Sequence, residues 1–318
     1  MPELPEVEVV RAGLEPVVTG ATVASVEIFD ERSLRRHDGP SEDFVQRLVG
    51  SEFGVPQRRG KFMWIPLTCQ MQVPETHTRE IAVPSAPLAS ASPAFGTADA
   101  LVVHLGMSGQ VLLRNPGVED LRTRIRIELQ HPTHGPRRLN FVDQRIFGSM
   151  AIDELVPTDH GETVPSAVAH IARDPLDPRF DEAGFLSRLA KRSTGIKRAL
   201  LDQRLVSGVG NIYADEALWG ARIHYDQPTA TLSKAKATLL LSEVRAVFHQ
   251  ALAEGGTSFD EQYKNVNGTS GYFERSLKAY GQQGEPCHRC GRLIVRERFM
   301  NRGSHFCPHC QRLPSATL

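Results

Sequence analysis

Residues 207–219 read SGVGNIYADEALW, a glycine-rich turn that runs directly into a predicted helix. Gly208 and Gly210 allow the backbone to turn tightly, and Asn211 stands where the helix is expected to begin. Backbone N–H groups at a helix start have no partner within the helix, so together with an amide side chain they can hold a phosphate. A Gly-x-Gly turn alone is weak evidence, because many such turns bind nothing.

The hydrophobic pattern along the chain predicts two domains. The first part contains strand-like runs, in one of which Ile125, Ile127 and Leu129 alternate with charged neighbours. From about residue 157 the pattern is that of short helices. The longest is SKAKATLLLSEVRAVFHQALAEGG, with Ser233 as its N-cap and Gly255–Gly256 as its stop. A strand-rich part followed by a helical part predicts a junction near residues 153–165.

Residues 66–100 interrupt the strand-like pattern. They are rich in Pro, Ala, Ser and Thr and contain little that could pack into a core. We predict a long, mobile insertion between two strands.

Composition leaves the choice of partner open, but charge is unevenly distributed. The chain has 318 residues, 40% hydrophobic, and its 37 basic residues balance 37 acidic ones. No segment approaches the roughly eighteen apolar residues of a membrane-spanning helix. Basic residues concentrate in two segments, which form either polyanion-binding surfaces or ordinary solvated faces. These residues are Arg188, Lys191, Arg192, Lys197, Arg198 and Arg204, then Arg289, Arg292, Arg296, Arg298, Arg302 and Arg312.

The first ten residues, MPELPEVEVV, allow two interpretations. A helix over about residues 3–14 would bury Leu4, Val7, Val10 and Leu14 on one side, and proline and acidic residues suit its first turn. Alternatively, removal of Met1 would leave Pro2 as a free secondary amine beside a carboxylate. The acidic start does not fit a signal peptide.

Two cysteine pairs near the end of the chain indicate a metal site. CHRC and CPHC have the spacing of four thiolates that bind zinc tetrahedrally. Two disulfides or a redox pair are the alternatives, but the cysteine distribution favours a reduced, intracellular setting. With no open ligand position, we expect one structural Zn²⁺, held by Cys287, Cys290, Cys307 and Cys310. Cys69 is expected to be a bystander.

Apolar side chains also stand in two predicted loops. Met107 lies within HLGMSG, and Phe147 follows Arg145 in FVDQRIFG. Core packing is the ordinary explanation for each of them, and a partner that receives them is the other.

Together these stretches resemble the formamidopyrimidine-DNA glycosylase family (Fpg, MutM), whose relatives include endonuclease VIII. The likeness covers nearly the whole chain, which in detail resembles the actinobacterial members of the family. The motifs, in family order, are PELPEVE, RRGKFMW, HLGMSG, DQRIFG, LLDQRLVSGVGNIYADEALW, GGTSFD, GYFERSLKAYGQQGEPCHRCG and the paired cysteines.

The resemblance implies an α+β protein of three parts. These are an N-terminal catalytic β-sandwich with an N-terminal helix (1–155, insertion 66–100), a helix–two-turns–helix DNA-binding domain (156–280) and a zinc-finger β-hairpin (281–318). It also implies a bifunctional glycosylase and AP lyase of base excision repair that excises 8-oxoguanine and formamidopyrimidines opposite cytosine.

The resemblance further implies catalytic roles. Mature Pro2 would attack C1′ and form an iminium that undergoes β,δ-elimination, while Glu3 would act as general acid and Glu6 would support Pro2. Lys61 would contact phosphate beside the lesion and assist elimination. Arg302 would grip the flanking phosphates and donate the proton for δ-elimination.

DNA contacts are implied in the same way. Phe147 would wedge between base pairs, Met107 would fill the space of the flipped base and Arg145 would bind the unpaired cytosine. Arg192 and Asn211 would hold phosphate. The segment EQYKNVNGTSG would close on the flipped 8-oxoguanine.

Two positions depart from the family pattern. Arg124 replaces a histidine, a change that a basic phosphate contact could survive, and Gln144 replaces a common proline.

The three intercalating residues Met107, Arg145 and Phe147 favour oxidised purines as substrates. An endonuclease VIII-like preference for oxidised pyrimidines is the alternative within this class. A catalytically silent DNA-binding protein is the other alternative. We expect a monomer that acts on damaged double-stranded DNA in the bacterial cytoplasm, at the nucleoid and away from membranes.

Overall fold

The computed structural model describes residues 2–69, 99–159, 161–257, 266 and 271–313. Most of the predicted insertion and most of the EQYKNVNGTSG segment lie outside these residues. The ends of the insertion do not, because residues 66–69 and 99–100 belong to paired strands. The two flanking strands therefore extend into the predicted insertion at both of its ends.

The first part of the chain forms a ten-stranded sheet in which every pairing is antiparallel. Its order is β10-β9-β5-β4-β2-β1-β7-β8-β6, with β3 also paired to β4. The strands are β1 (Thr22–Ile28), β2 (Ser51–Phe53), β3 (Gln57–Arg59), β4 (Phe62–Cys69), β5 (Asp99–His104), β6 (Gly109–Arg114), β7 (Thr123–His131), β8 (Gly135–Asp143), β9 (Ser149–Pro157) and β10 (Thr163–Pro165).

The sheet folds over on itself, as a sandwich does. In the sheet order five strands separate β8 from β9. The Phe141 ring of β8 nevertheless lies against Gly148, the residue before β9, because a Cβ built on Gly148 would be 2.7 Å from this ring. Side chains from both ends of the sheet, including Val111, Phe141 and Ile152, share one core. Because β9 runs to Pro157 and β10 pairs with it, the sheet extends past the predicted boundary at residue 155.

Helix α1 (Leu4–Val18) connects this core to the second domain. Val7, Val10 and Leu14 pack into the sheet core, whereas Leu4 packs among the helices. The buried side is the predicted one, but the helix continues to Val18 through Pro16. Helix α2 (Ser41–Leu48) covers the same core through Phe44 and Leu48.

The second domain is helical, with its own core. Its helices are α3 (Glu182–Ala190), α4 (Ile196–Leu200), α5 (Asn211–Ala221) and α6 (Lys234–Ala253). The Ser233 side chain accepts a hydrogen bond from the Lys236 N–H, as predicted for an N-cap, and Gly255 and Gly256 have positive φ where the helix stops. Helix α5 is almost wholly buried, which makes it the central element of this domain.

The chain continues into a two-stranded hairpin of β11 (Val295–Phe299) and β12 (Arg302–Phe306). Strand β12 packs against α5. Among the described residues, no helix combines the length and apolar character needed to cross a membrane.

Candidate active site

The start of α1 enters the turn that precedes α5. The Glu3 carboxylate accepts hydrogen bonds from the N–H groups of Gly210 at 2.6 Å and Ile212 at 2.9 Å. In return, the Leu4 N–H donates to the Gly208 carbonyl at 3.1 Å. The N-terminus of α5 thus holds a carboxylate of its own chain, a charge that the positive end of the helix dipole favours.

Glycine is required at both positions of this turn. Gly208 has φ +87°, and a Cβ there would lie 2.6 Å from Leu4 Cδ1. A Cβ on Gly210 would collide with the Glu3 carboxyl group. The Gly-x-Gly turn is therefore more than a flexible connection, because it makes room for Glu3.

The Glu3 environment suits a proton donor. Glu3 is only 1% exposed. Burial raises the pKa of its carboxyl, and the Glu6 carboxylate acts in the same direction, while the Lys61 ammonium and the Ile212 N–H oppose them. A carboxyl whose pKa is raised retains its proton closer to neutral pH, as a general acid must.

Glu6 is a structural partner of Glu3. Its carboxylate accepts hydrogen bonds from the Glu3 N–H at 2.9 Å, the Tyr213 hydroxyl at 2.6 Å and the Thr257 N–H at 2.8 Å. These bonds join α1 to α5 and to the turn after α6. Pro2 is also buried and immediately precedes Glu3 in the chain.

A cleft of about 440 Å³ opens beside these groups. Lys61, His104 and Arg302 line it, from the β3–β4 turn, the end of β5 and the start of β12 respectively. Burial lowers the pKa of Lys61, Glu3 opposes this shift and Arg302 reinforces it. The structure thus brings together three of the predicted residues, Glu3, Lys61 and Arg302.

His104 is a candidate that sequence reasoning missed, although it stands in the HLGMSG motif. Burial, with Arg36 nearby, lowers its pKa to about 4, so the ring is neutral near pH 7. Its Nδ1 atom is buried without a hydrogen-bond partner in the described part of the chain. His104 therefore contributes a neutral ring to the lining of the cleft, while its Nδ1 atom is closed off from solvent.

The predicted intercalating residues lie at the surface on two adjoining loops. Met107 is 39% exposed and Phe147 is 45% exposed, so core packing does not explain them. The Arg145 guanidinium lies 5.0 Å from the Phe147 ring centroid. Buried Asp143 accepts hydrogen bonds from the Arg145 N–H at 3.0 Å and from the Ser108 hydroxyl, which fixes the two loops together.

Arg35 also organises this surface, and nothing in the sequence singled it out. Its guanidinium donates to the carbonyl oxygens of Ile146 at 2.9 Å and Gly148 at 2.8 Å, and also to that of Phe147. One exposed side chain therefore holds three successive carbonyls of the Arg145 loop.

Three predicted phosphate contacts are engaged within the protein. Arg124 Nε donates to the Asp143 carbonyl at 2.8 Å, next to the Arg145 loop. Arg192 forms an ion pair with Asp202 at 2.8 Å. The Asn211 amide donates to the Gly303 carbonyl at 3.2 Å, so this residue links α5 to the hairpin.

The four paired cysteines form a metal centre. One sulfur from each lies within 4.8 Å of all the others, and the four residues are not disulfide-bonded. A tetrahedral zinc with Zn–S bonds of about 2.3 Å needs sulfurs about 3.8 Å apart, so the set fits one structural Zn²⁺. The Arg289 guanidinium lies 3.7 Å from the Trp219 ring centroid and donates a hydrogen bond to the Gly220 carbonyl at 3.0 Å. These contacts attach the loop between Cys287 and Cys290 to the end of α5.

Comparison with known proteins follows this division into parts. Residues 1–150 match the model of the formamidopyrimidine-DNA glycosylase N-terminal domain, and residues 171–262 match that of the formamidopyrimidine-DNA glycosylase H2TH domain. Residues 284–313 match a zinc finger found in FPG and IleRS. The chain belongs to the formamidopyrimidine-DNA glycosylase family. The resemblance inferred from its motifs is confirmed.

Formamidopyrimidine-DNA glycosylases of actinobacteria align with the chain from end to end. The protein of Leifsonia xyli is 57% identical over 98% of this chain and 100% of its own length. That of Streptomyces avermitilis is 50% identical over the full length of both. Both alignments therefore extend over all three matched domains.

Solved formamidopyrimidine-DNA glycosylase structures share the fold. A Lactococcus lactis FPG mutant in complex with Fapy-dG-containing DNA has a TM-score of 0.76 and 28% identity, covering 98% of this chain and 100% of that one. The MutM (FPG) protein of Thermus thermophilus has a TM-score of 0.75 and 31% identity, with 98% and 99% coverage. The predicted α+β architecture with a C-terminal zinc finger is thereby confirmed.

Proposed function

We propose that this protein is a bifunctional DNA glycosylase and AP lyase of base excision repair that removes 8-oxoguanine and formamidopyrimidines opposite cytosine. Family membership supports the glycosylase and lyase activities. One observation carries the assignment of residues. The buried Glu3 carboxyl, next to Pro2, is held at the start of α5 beside a cleft lined by Lys61 and Arg302.

Pro2 is the proposed nucleophile. After Met1 is removed, its secondary amine has an ordinary pKa of about 8, so a useful fraction is unprotonated at neutral pH. The amine attacks C1′ of the damaged nucleotide, and the bond from C1′ to the base breaks. A secondary amine can only give an iminium, whose fixed positive charge draws electrons from the sugar. Loss of the C2′ proton then expels the 3′ phosphate, and a further elimination expels the 5′ phosphate.

Glu3 is the proposed general acid. Its raised pKa fits protonation of the sugar ring oxygen as the ring opens, and the resulting carboxylate can accept a proton in a later step. Lys61 and Arg302 supply positive charge for the phosphates on either side of the lesion.

The exposed loop residues serve base extrusion in this proposal. A proline amine reaches C1′ only when the nucleotide leaves the stack, so the vacated space must be filled. Phe147 and Met107 supply exposed apolar groups for this purpose, and the Arg145 guanidinium can donate to the edge of the unpaired cytosine. We further propose that the protein acts on double-stranded DNA as a monomer in the bacterial cytoplasm, and that Arg124, Arg192 and Asn211 contribute phosphate contacts.

A panel of duplexes tests the proposed substrate class. With one 8-oxoguanine opposite cytosine, we expect base release followed by a one-nucleotide gap with phosphate on both sides. A matched duplex with an oxidised pyrimidine is expected to react more slowly. Preferential release of the pyrimidine would favour an endonuclease VIII-like enzyme, and binding without release of either base would favour a silent DNA-binding protein.

Arg145→Ala is expected to weaken the preference for cytosine opposite the lesion. Loss of a good side-chain contact to a base costs about 1–3 kcal/mol of discrimination. The measurement is the ratio of kcat/KM for 8-oxoguanine opposite cytosine to that opposite adenine. Gln110→Ala, on the neighbouring strand β6, provides the control. A mutant that keeps the full cytosine preference contradicts the role given to Arg145.

Binding to an abasic-site analogue in duplex DNA is expected to weaken as pH rises from neutral to alkaline values. Because burial lowers the pKa of Lys61, this ammonium loses its proton, and its attraction for phosphate, at a lower pH than an ordinary lysine does. Lys61→Arg should retain charge throughout the range and flatten the dependence. Equal pH dependence of Kd in the two proteins would exclude Lys61 as its source.

A further inference from the structure

A buried charged cluster lies behind the cleft, between α5 and the hairpin. Asp215, on α5, is 1% exposed, and Lys197, on α4, is wholly buried. Their side chains form an ion pair with 2.6 Å between Nζ and Oδ1. A buried ion pair gains little stability over apolar packing, because both charges lose water. Its presence beside a catalytic cleft therefore calls for a function other than stability.

The Asp215 carboxylate holds two successive residues of β12. Its Oδ1 accepts a hydrogen bond from the Ser304 hydroxyl at 3.0 Å, in addition to the bond from Lys197. Its Oδ2 accepts one from the His305 N–H at 2.9 Å and lies 3.2 Å from His305 Nδ1. Both carboxylate oxygens are thus occupied by atoms of the hairpin and by the lysine.

Neighbours of Asp215 extend this attachment toward Arg302. The Gly303 carbonyl accepts hydrogen bonds from Lys197 Nζ at 3.3 Å and from the Asn211 amide at 3.2 Å. Residues 303–305 are therefore fixed to the helical domain by at least four hydrogen bonds, two donated to Asp215 and two accepted from Lys197 and Asn211. Arg302 is the next residue of the same strand.

The same helix also holds Glu3, because the N–H groups of Gly210 and Ile212 bind its carboxylate. Helix α5 therefore contacts both the proposed general acid and the strand that begins with Arg302. We propose that Asp215 is a positioning residue, which sets the distance of Arg302 from Glu3 by fixing β12 to the helix that carries the Glu3 site. This inference rests on the proposed function, since it concerns the geometry of that site.

A double-mutant cycle with Asp215→Asn and Arg302→Ala tests this role. The asparagine keeps the size of the side chain but removes the charge that faces Lys197 and one acceptor of the His305 or Ser304 bonds. A displaced catalytic group costs about tenfold or more in rate. We expect Asp215→Asn to lower kcat/KM for strand cleavage at a preformed abasic site about tenfold. In the Arg302→Ala background it should change the rate less than about twofold, since interacting residues are non-additive.

Two companion variants separate positioning from stability. Ser304→Ala removes one bond to Asp215 without changing charge, so it should produce a smaller effect in the same direction. Glu297→Gln removes a charge from β11 whose partner is the Tyr225 hydroxyl, and it should change nothing in either background. Zinc content and Tm are measured for every variant. An equal loss from Asp215→Asn in both backgrounds, or no loss in either, would overturn the inference.

A binding measurement keeps this test independent of the proposed chemistry. If wild-type protein cleaves no damaged DNA, the proposed function fails, and DNA affinity still reports the position of Arg302. Loss of one phosphate contact lowers the slope of log K against log salt concentration by about one. Asp215→Asn should lower this slope as Arg302→Ala does, and the double variant no further. A wild-type slope in Asp215→Asn would overturn the inference.

Discussion

Glu3→Gln is expected to lower the rate of base release by about a hundredfold to ten-thousandfold, the usual contribution of a positioned general acid. Glutamine can occupy the space at the start of α5, but it cannot donate the proton that ring opening requires. The raised pKa of the Glu3 carboxyl follows from the same burial that the Gly210 turn makes possible. The measurement is single-turnover release of 8-oxoguanine from duplex DNA.

Glu15→Gln is the matched control for this experiment. Glu15 lies on the same helix α1, and its side chain is 45% exposed with Arg11 as its ion-pair partner. The Glu15→Gln protein should release the base at the wild-type rate. Because Glu3 also binds the α5 backbone, the Tm and DNA affinity of Glu3→Gln are measured alongside. A folded, DNA-binding Glu3→Gln protein that releases the base at the wild-type rate contradicts the general-acid role.

Removal of zinc is expected to abolish DNA binding, the second large effect. Zinc–thiolate sites in small domains contribute about 10–16 kcal/mol of apparent binding energy, as much as a typical protein's whole stability. The apolar cluster around Cys287 and Cys307 is small, with Ile294 and partly buried Trp219, so little apolar packing holds this end of the hairpin without the metal. Without the metal, the hairpin should lose its structure and release Arg302 from the cleft.

Chelator titration with zinc quantification provides the measurement, together with Cys307→Ser. DNA affinity should fall with the zinc content and recover when zinc is restored. Cys69→Ser changes a cysteine outside the zinc site and should leave the zinc content and the DNA affinity unchanged. Full DNA binding by the metal-free protein would contradict the role of the hairpin as a phosphate clamp.

Local patterns in the sequence predicted much of the fold. Alternation identified the strand that contains Ile125 and Ile127, and Ser233 and Gly255 identified the ends of α6. The Pro-, Ala-, Ser- and Thr-rich composition predicts an insertion from residue 66, whereas β4 continues to Cys69, although proline usually disfavours strand interiors. Pro66 nevertheless pairs with Ala100, and its carbonyl accepts a hydrogen bond from the Gly54 N–H.

The candidate site likewise contains residues that the sequence predicted and residues that it did not. Pro2, Glu3, Lys61 and Arg302 stood in recognisable motifs, and the structure gathers the last three around one cleft. Contacts between distant segments were not visible in the sequence. Arg35 reaches carbonyls more than one hundred residues away. Asp215 acts on a strand that follows it by about ninety residues. Neither has a periodicity or spacing that could have revealed its partner.

The most direct test of the account is covalent trapping with borohydride on duplex DNA that contains one 8-oxoguanine opposite cytosine, followed by mass analysis of the linked peptide. Reduction of the iminium should leave the sugar attached to the nitrogen of Pro2, in protein that lacks Met1. An uncleaved N-terminal extension should prevent trapping. Active protein that retains Met1, or an adduct that maps to Lys61, would contradict the central claim.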